Sequence, residues 1–262
     1  MKTDTLPSTL ESVDAREHDL VEAFKSHPVL AHFESLSREQ VLDILLQRRF
    51  VSLAVTPLYD LAIDAFEDLG LKRCLREILR EEYPDNDRPT HREDLMEDLR
   101  ALGASWEQVV SSGVTPATAQ CIERLLSALR KQEERSLYEV RVLSFVRFAS
   151  EVLVAEEYSR MWPGLRRLGL CGRNEAGGVR SKFYKPHMSH DQRKVRFSAP
   201  TDYMEDKSHS DQLTEMLKAR LLRGGPAAFK VCLEAMQAAV EVKRGFYDPF
   251  LPYVDQARPL SA

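Results

Sequence analysis

The stretch TDYMEDKSHSD, residues 201–211, sets Asp202, Asp206 and His209 at i, i+4 and i+7. On a helix those side chains share one face, a turn apart. Two carboxylates and an imidazole so arranged can hold a divalent metal ion. They can equally form a solvated helix face, and the neighbouring Lys207 and Asp211 suit that plainer reading. Other acids and histidines pose the same choice. Glu81 and Glu82 end an amphipathic segment; Glu82 stacks with Leu75 and Ile78, and Glu81 lies at the edge of that stripe. An acidic pair at a helix C-terminus opposes the macrodipole, so a compensating partner is expected. His91 follows at the first turn of the next helix, where a surface histidine is the plainer reading. Glu151 interrupts the most apolar segment of the chain, where an i, i+4 pair with Arg147 is the alternative to a ligand role. Carboxylates and histidines facing inward from neighbouring helices are how a helical bundle builds a metal site. Iron and manganese accept such mixed oxygen and nitrogen sets, whereas structural zinc favours cysteine.

Helices must position these residues, and helical periodicity dominates; no stretch reads as a convincing strand. Residues 9–25 form a first amphipathic segment, ended by His27-Pro28. Ser37-x-x-Gln40 and Thr90-x-x-Glu93 are capping boxes. The first opens a helix that Pro57 should kink rather than end, because LYDLAIDAFEDL continues the pattern. Leu71, Cys74, Leu75, Ile78 and Leu79 form the stripe leading to Glu81 and Glu82, and the second box starts HREDLMEDLRALG. Thr115-Pro116 opens a further helix. Residues 138–161 form a long helix, apolar on most sides, which belongs at the centre of a bundle. The last two helices fall at about 202–222 and 227–246, separated by Gly224-Gly225-Pro226.

Residues 171–200 break the pattern, with seven Lys or Arg against one Glu and one Asp. The segment is too long for a plain connector, so it is functional or disordered. Arg180, Lys182, Lys185, Arg193, Lys194 and Arg196 could clamp a substrate carboxylate or a carrier's phosphopantetheine, or form a lid. The plainer reading is a solvated loop, although Phe183, Tyr184 and Phe197 argue for partial packing.

The expectation is a single all-α helical-bundle domain over residues 1–262, carrying this basic insertion at about 171–200. The chain is 43% hydrophobic and 30% charged with a net charge of −4, which gives no reason to expect nucleic acid or an anionic membrane. No apolar run approaches the roughly 20 residues of a membrane span. The N-terminus is too polar for a signal peptide. Four scattered cysteines without a C-x-x-C pair read as reduced thiols of a cytoplasmic protein.

In order and spacing, these residues resemble the haem-oxygenase-like di-iron oxidases and oxygenases, which share their bundle with the TenA thiaminases and pyrroloquinoline-quinone synthases. That family's pattern is a Glu at a helix end, a His seven to ten residues later, a Glu in the central helix, and then H-x-x-x-D-x-x-H. EEYPDNDRPTH, RFASEVLVAEEYSRMW and MEDKSH match its parts here. LSREQVLDILLQRRFVSLAVTPLYDLA is similar to its second helix and AFKVCLEAMQAAVEVKRGFYDPFL to its last. The resemblance implies a haem-oxygenase-like bundle of about seven to eight helices. It implies metal ligands Glu81 (or Glu82), His91, Glu151, Asp202, Asp206 and His209. Glu81, His91, Glu151, Asp206 and His209 would be catalytic. It further implies two Fe(II) ions, O2 as co-substrate, a small-molecule substrate, an external electron donor and a homodimer. Two departures bear on the second ion: Asp202 stands where the family has histidine, and Val55 where some members have a further Glu. That ion would bind weakly, bind only with substrate, or be absent. The para-aminobenzoate-forming members are disfavoured, because Met161 replaces their Lys and SHPVLAHF lacks their Tyr. Phe50, Leu53, Phe148 and Tyr158 are expected in the pocket wall. Two other readings remain open: a metal-free enzyme on the same bundle, in which Glu81, Glu151 and His209 act as acid–base groups, and a non-enzymatic helical interaction protein.

Overall fold

Most helix starts are encoded locally by side-chain caps. The computed structural model describes residues 9–84, 87–130, 134–171, 179–191, 195–199 and 208–257. Reciprocal capping boxes at Thr9–Ser12 and Ser37–Gln40 open α1 (Leu10–Lys25) and, after a single turn α2 (Pro28–Ala31), α3 (Arg38–Leu53). The chain then bends at Ala54 into α4 (Val55–Ala65). Pro57 cannot donate to the carbonyl four residues back, so the expected kink is a break between two helices. Asp68 caps α5 (Leu69–Glu82), Thr90–Glu93 boxes α6 (His91–Ala101) and Ser105–Gln108 boxes α7 (Trp106–Ser111). Thr115 caps α8 (Pro116–Ser127), with proline at its first position.

The central helix runs as α9 (Arg135–Val146), a π-helical turn Arg147–Val152, and α10 (Leu153–Arg167). Phe145, Phe148, Leu153 and Leu165 are each at most 1% exposed, and burial of each such side chain stabilises by about 1.5–3 kcal/mol. Two two-residue strands follow, β1 (Leu170–Cys171) and β2 (Val179–Arg180), paired in parallel. They correct the strand-free expectation, and are too short to carry a periodicity signal. Then come α11 (Tyr184–His190), α12 (His209–Tyr247) and α13 (Leu251–Ala257). α12 packs along α9 and the π-turn, and α1, α5 and α8 pack against it in turn. It kinks at Gly225, whose φ of 59° suits glycine alone, as the Gly-Gly-Pro signal predicts. No helix among the described residues is long and apolar enough to cross a membrane.

The expected helix from about residue 202 is corrected. α12 begins at His209, and Ser208 is its N-cap with extended backbone (φ −65°, ψ 164°) and its side chain accepting from Asp211 N. One helical face cannot run from 202 to 209 through an extended residue. Asp202 and Asp206 themselves lie outside the described residues. The Arg147–Glu151 pair is not formed either: Arg147 turns to Glu17 (Nη2 to Oε1 3.1 Å) and Thr214 (2.6 Å), because the π-turn rotates it away from Glu151.

Candidate metal centre

The apolar stripe of α5, with Leu71, Cys74, Leu75 and Ile78 buried, continues in register onto Glu82 and leaves Glu81 beside it. Thr90 fixes the start of α6, which puts His91 at its first position. Glu151 sits in the π-turn, the kind of helix irregularity common at functional sites. Ser208 starts α12 with His209. The structure brings Glu81, His91, Glu151 and His209 to one cavity of about 80 Å³, with Glu82 on the same wall.

Three further titratable residues of that cavity come from the basic segment. His187 and His190 lie in α11, and Asp191 follows it. The signal was present as K-P-H-M-S-H-D, with i, i+3, i+4 spacing, but the surrounding charge made the stretch read as a solvated loop. The described basic residues of the segment do not line the cavity. Arg180 and Arg196 are exposed, Lys182 pairs with Glu97, and Lys185 lies over the Trp162 ring at 5.6 Å. Arg193 and Lys194 lie outside the described residues. The packing expected of Phe183, Tyr184 and Phe197 is present, as all three are buried.

Eight acids and imidazoles fall into three clusters: Glu82, His91 and His187; Glu81, His190 and His209; Glu151, Asp191 and His209. His91 Nδ1 stands 3.1 Å from Glu82 Oε1, near enough for an ion pair but too poorly aligned for a hydrogen bond. His209 Nε2 lies 3.1 Å from Glu81 Oε1, and its Nδ1 lies 3.4 Å from Glu151 Oε2 and 3.7 Å from Asp191 Oδ1. His190 Nδ1 is 3.5 Å from Glu81 Oε2. The Glu151 side chain is 4% exposed and that of His190 61%, so the group runs from the core to the mouth. Tyr59 donates a hydrogen bond to Glu151 Oε1, and His187 Nδ1 donates to Phe183 O at 2.7 Å, leaving its Nε2 lone pair available.

The electrostatics follow from this crowding. Burial lowers the His209 pKa, but hydrogen bonds and charge from Glu151 and Glu81 override it and hold it at about 11. Burial drives His187 down to about 3, helped by the neighbouring His91, so this imidazole is neutral. Hydrogen bonds from His190 and His209 hold Glu81 far below the usual carboxylate range. Burial and the charge of Glu151 push Asp191 well above it. Such divergent shifts within one cleft mark a candidate functional site.

Among the solved structures that resemble the chain are three that each share 13% sequence identity with it. A CADD-like protein of unknown function from Nostoc punctiforme matches with a TM-score of 0.61, covering 94% of this chain and 99% of its own. A TenA family transcription regulator from Silicibacter sp. and a TenA homologue from P. horikoshii each match at 0.57. These cover 93% and 94% of this chain and 97% and 100% of theirs. This is the haem-oxygenase-like fold. No family model and no curated protein matches the sequence.

Within the haem-oxygenase-like bundle, the other cavity wall is set by helical period. Arg48, Ser52, Val55 and Tyr59 line it at steps of four, three and four residues. Phe50 and Leu53 fall between those rows and do not line it, nor does the buried Phe148, while Tyr158 does. Behind the wall is a group that no local sequence pattern announces. Fully buried Glu157 accepts from Arg48 (Nε to Oε1 2.8 Å, Nη2 to Oε2 2.6 Å), Lys243 (3.2 Å) and Tyr247. Arg48 Nη1 also donates to Ser52 Oγ at 2.8 Å. The Ser150 hydroxyl faces the cavity, buried and without a hydrogen-bond partner.

Proposed function

We propose that this protein is an O2-dependent, non-haem di-iron oxidase or oxygenase acting on a small amino-acid-like metabolite, by N-oxygenation, oxidative decarboxylation or C–C cleavage. The convergence of four carboxylates and four imidazoles on one cavity carries this reading, with no cysteine among the described residues that line it. The donor set fits iron. It is the mixed oxygen and nitrogen set that iron and manganese accept, and four carboxylates balance the charge of two divalent ions. The misaligned approach of His91 to Glu82 is also what two groups aimed at a common ion would adopt.

In this reading Glu82, His91 and His187 hold one ion. The second is held by residues drawn from Glu81, Glu151, Asp191, His190 and His209. Asp202 and Asp206, which the resemblance also implies as ligands, lie outside the described residues. Bound iron supplies the electrons that activate O2. The chain's own residues do the rest. Tyr59 orients Glu151 through its hydrogen bond, and the Phe183 carbonyl fixes the tautomer of His187. Ile78, Leu79, Val154 and Phe183 exclude water. Ser150 and Ser52 offer hydroxyls to a polar substrate.

The reading is tested by stripping the protein with chelator, loading it anaerobically with Fe(II), removing excess metal and counting bound iron. About two ions per chain are expected, followed by O2 uptake when air and amino-acid-like substrates are admitted. Iron retention no higher than in Glu82→Gln and Glu151→Gln variants would sink the proposal. Full turnover in chelator would point to the metal-free alternative.

A further inference from the structure

Each of the three donor clusters takes one member from the short stretch 187–191: His187, His190 or Asp191. The helix that carries the two histidines has no side-chain cap of its own. The peptide N–H groups leading into it, from Lys182 to Tyr184, are satisfied instead by a single carboxylate from another helix. Asp98, on α6, is 1% exposed. Its Oδ2 accepts from Ser181 Oγ (2.7 Å), Phe183 N (3.0 Å) and Tyr184 N (3.2 Å), and its Oδ1 accepts from Lys182 N (2.9 Å). Ser181 Oγ in turn accepts from Lys185 N at 3.0 Å. Asp98 is also two turns along α6 from His91, on the same face. His91 lies 4.7 Å from the His187 ring, centroid to centroid.

We infer that Asp98 is a positioning residue for the metal centre, fastening α11 to α6 so that His187, His190 and Asp191 meet the ligands from α5, α6, the π-turn and α12. This rests on the metal reading above. Backbone N–H groups buried without a partner are costly, so the segment can enter the bundle only if something accepts from them. Asp98 meets that need while touching none of the proposed ions. Outer partners that orient ligands are typically worth about 10–100-fold in metal affinity.

The test uses full-length protein and two readouts. Anaerobic Co(II) titration, followed by its visible absorption, reports affinity and site symmetry. Hydrogen exchange of the amides at 182–185 reports the fastening directly and needs no metal. Asp98→Ala should expose those amides and weaken Co(II) binding at least tenfold, with total helix content unchanged. Should that variant fail to fold, Ser181→Ala removes one donor to Asp98 and the acceptor of Lys185 N, and should give a smaller loss in both readouts. The Asp98→Ala, His187→Ala pair should be non-additive in Co(II) affinity, since both act on one ligand. Fast exchange at 182–185 with wild-type Co(II) affinity and spectrum overturns the positioning role. Unchanged exchange in Asp98→Ala overturns the fastening itself. A wild-type protein that binds no Co(II) overturns the metal reading and the role that rests on it; it is recognised because exchange still separates wild type from variant while metal binding does not.

Discussion

At the scale of single residues, the centre is a crowd of acids held together by histidines and one tyrosine. Asp191 is ionised in an unfolded chain near neutral pH. Burial and the adjacent Glu151 push its pKa well up, so folding penalises its charged form. Asp191→Asn removes that cost. The chelator-treated variant is expected to melt higher than chelator-treated wild type, by about 2–4 °C for each kcal/mol recovered. Added Mn(II) should stabilise it less than it stabilises wild type. Differential scanning calorimetry with and without metal measures both, and a lower melting temperature in chelator would contradict the account. Tyr59→Phe is a milder probe. It takes the hydroxyl from Glu151 Oε1 but keeps the ring, so metal affinity should fall about tenfold or more with little change in fold. Co(II) titration reads this; unchanged affinity would mean that Glu151 is oriented without Tyr59.

Among the elements, two helix irregularities direct side chains and helix axes. The π-turn at Arg147–Val152 is where Arg147 points to Glu17 while Glu151 points to the cavity. The kink at Gly225 lets the two halves of α12 run in different directions. A β-carbon there meets nothing within 4 Å, so the cost of a side chain is backbone strain alone. Gly225→Ala should therefore lose about 1–3 kcal/mol, read by urea unfolding with an unchanged m-value. A neutral result would mean that the kink relaxes without cost. The break at Ala54 differs in kind. It follows from Pro57, where periodicity on both sides predicts one kinked helix and the structure has two.

For the whole molecule, the buried charge of Glu157 ties α3, α10 and α12 together. Burial works to raise its pKa, but Arg48 and Lys243 hold it down at about 2, against an ordinary 4.5. A carboxylate depressed in the folded state contributes stability that is present above its unfolded pKa. That stability is lost as pH falls from about 4.5 towards 2. Urea unfolding across that range should show the loss in wild type and a flatter profile in Glu157→Gln. At pH 7 the variant should itself be less stable by about 3–5 kcal/mol, because two buried cations lose their partner. Equal stability of the two proteins at pH 7 would show that the cations find water or another acceptor.

What the sequence determined by itself is local. Cap residues at Ser37, Thr90 and Thr115, apolar stripes at helical spacing, and the Gly224-Gly225-Pro226 break locate most helices. The order of Glu81, His91, Glu151 and His209 along them pointed to the haem-oxygenase-like bundle. Tertiary structure decided which acids and histidines meet. Periodicity reports which face of a helix is buried but not what it is buried against. Nothing local distinguishes Glu157, sunk among Arg48, Lys243 and Tyr247, from its exposed-looking neighbour Glu156. Nor does the charge of residues 171–200 reveal that a carboxylate on α6 draws part of that segment inward. His187, His190 and Asp191 reach the cavity because Asp98 supplies, across more than eighty residues of chain, the acceptor that their own helix lacks.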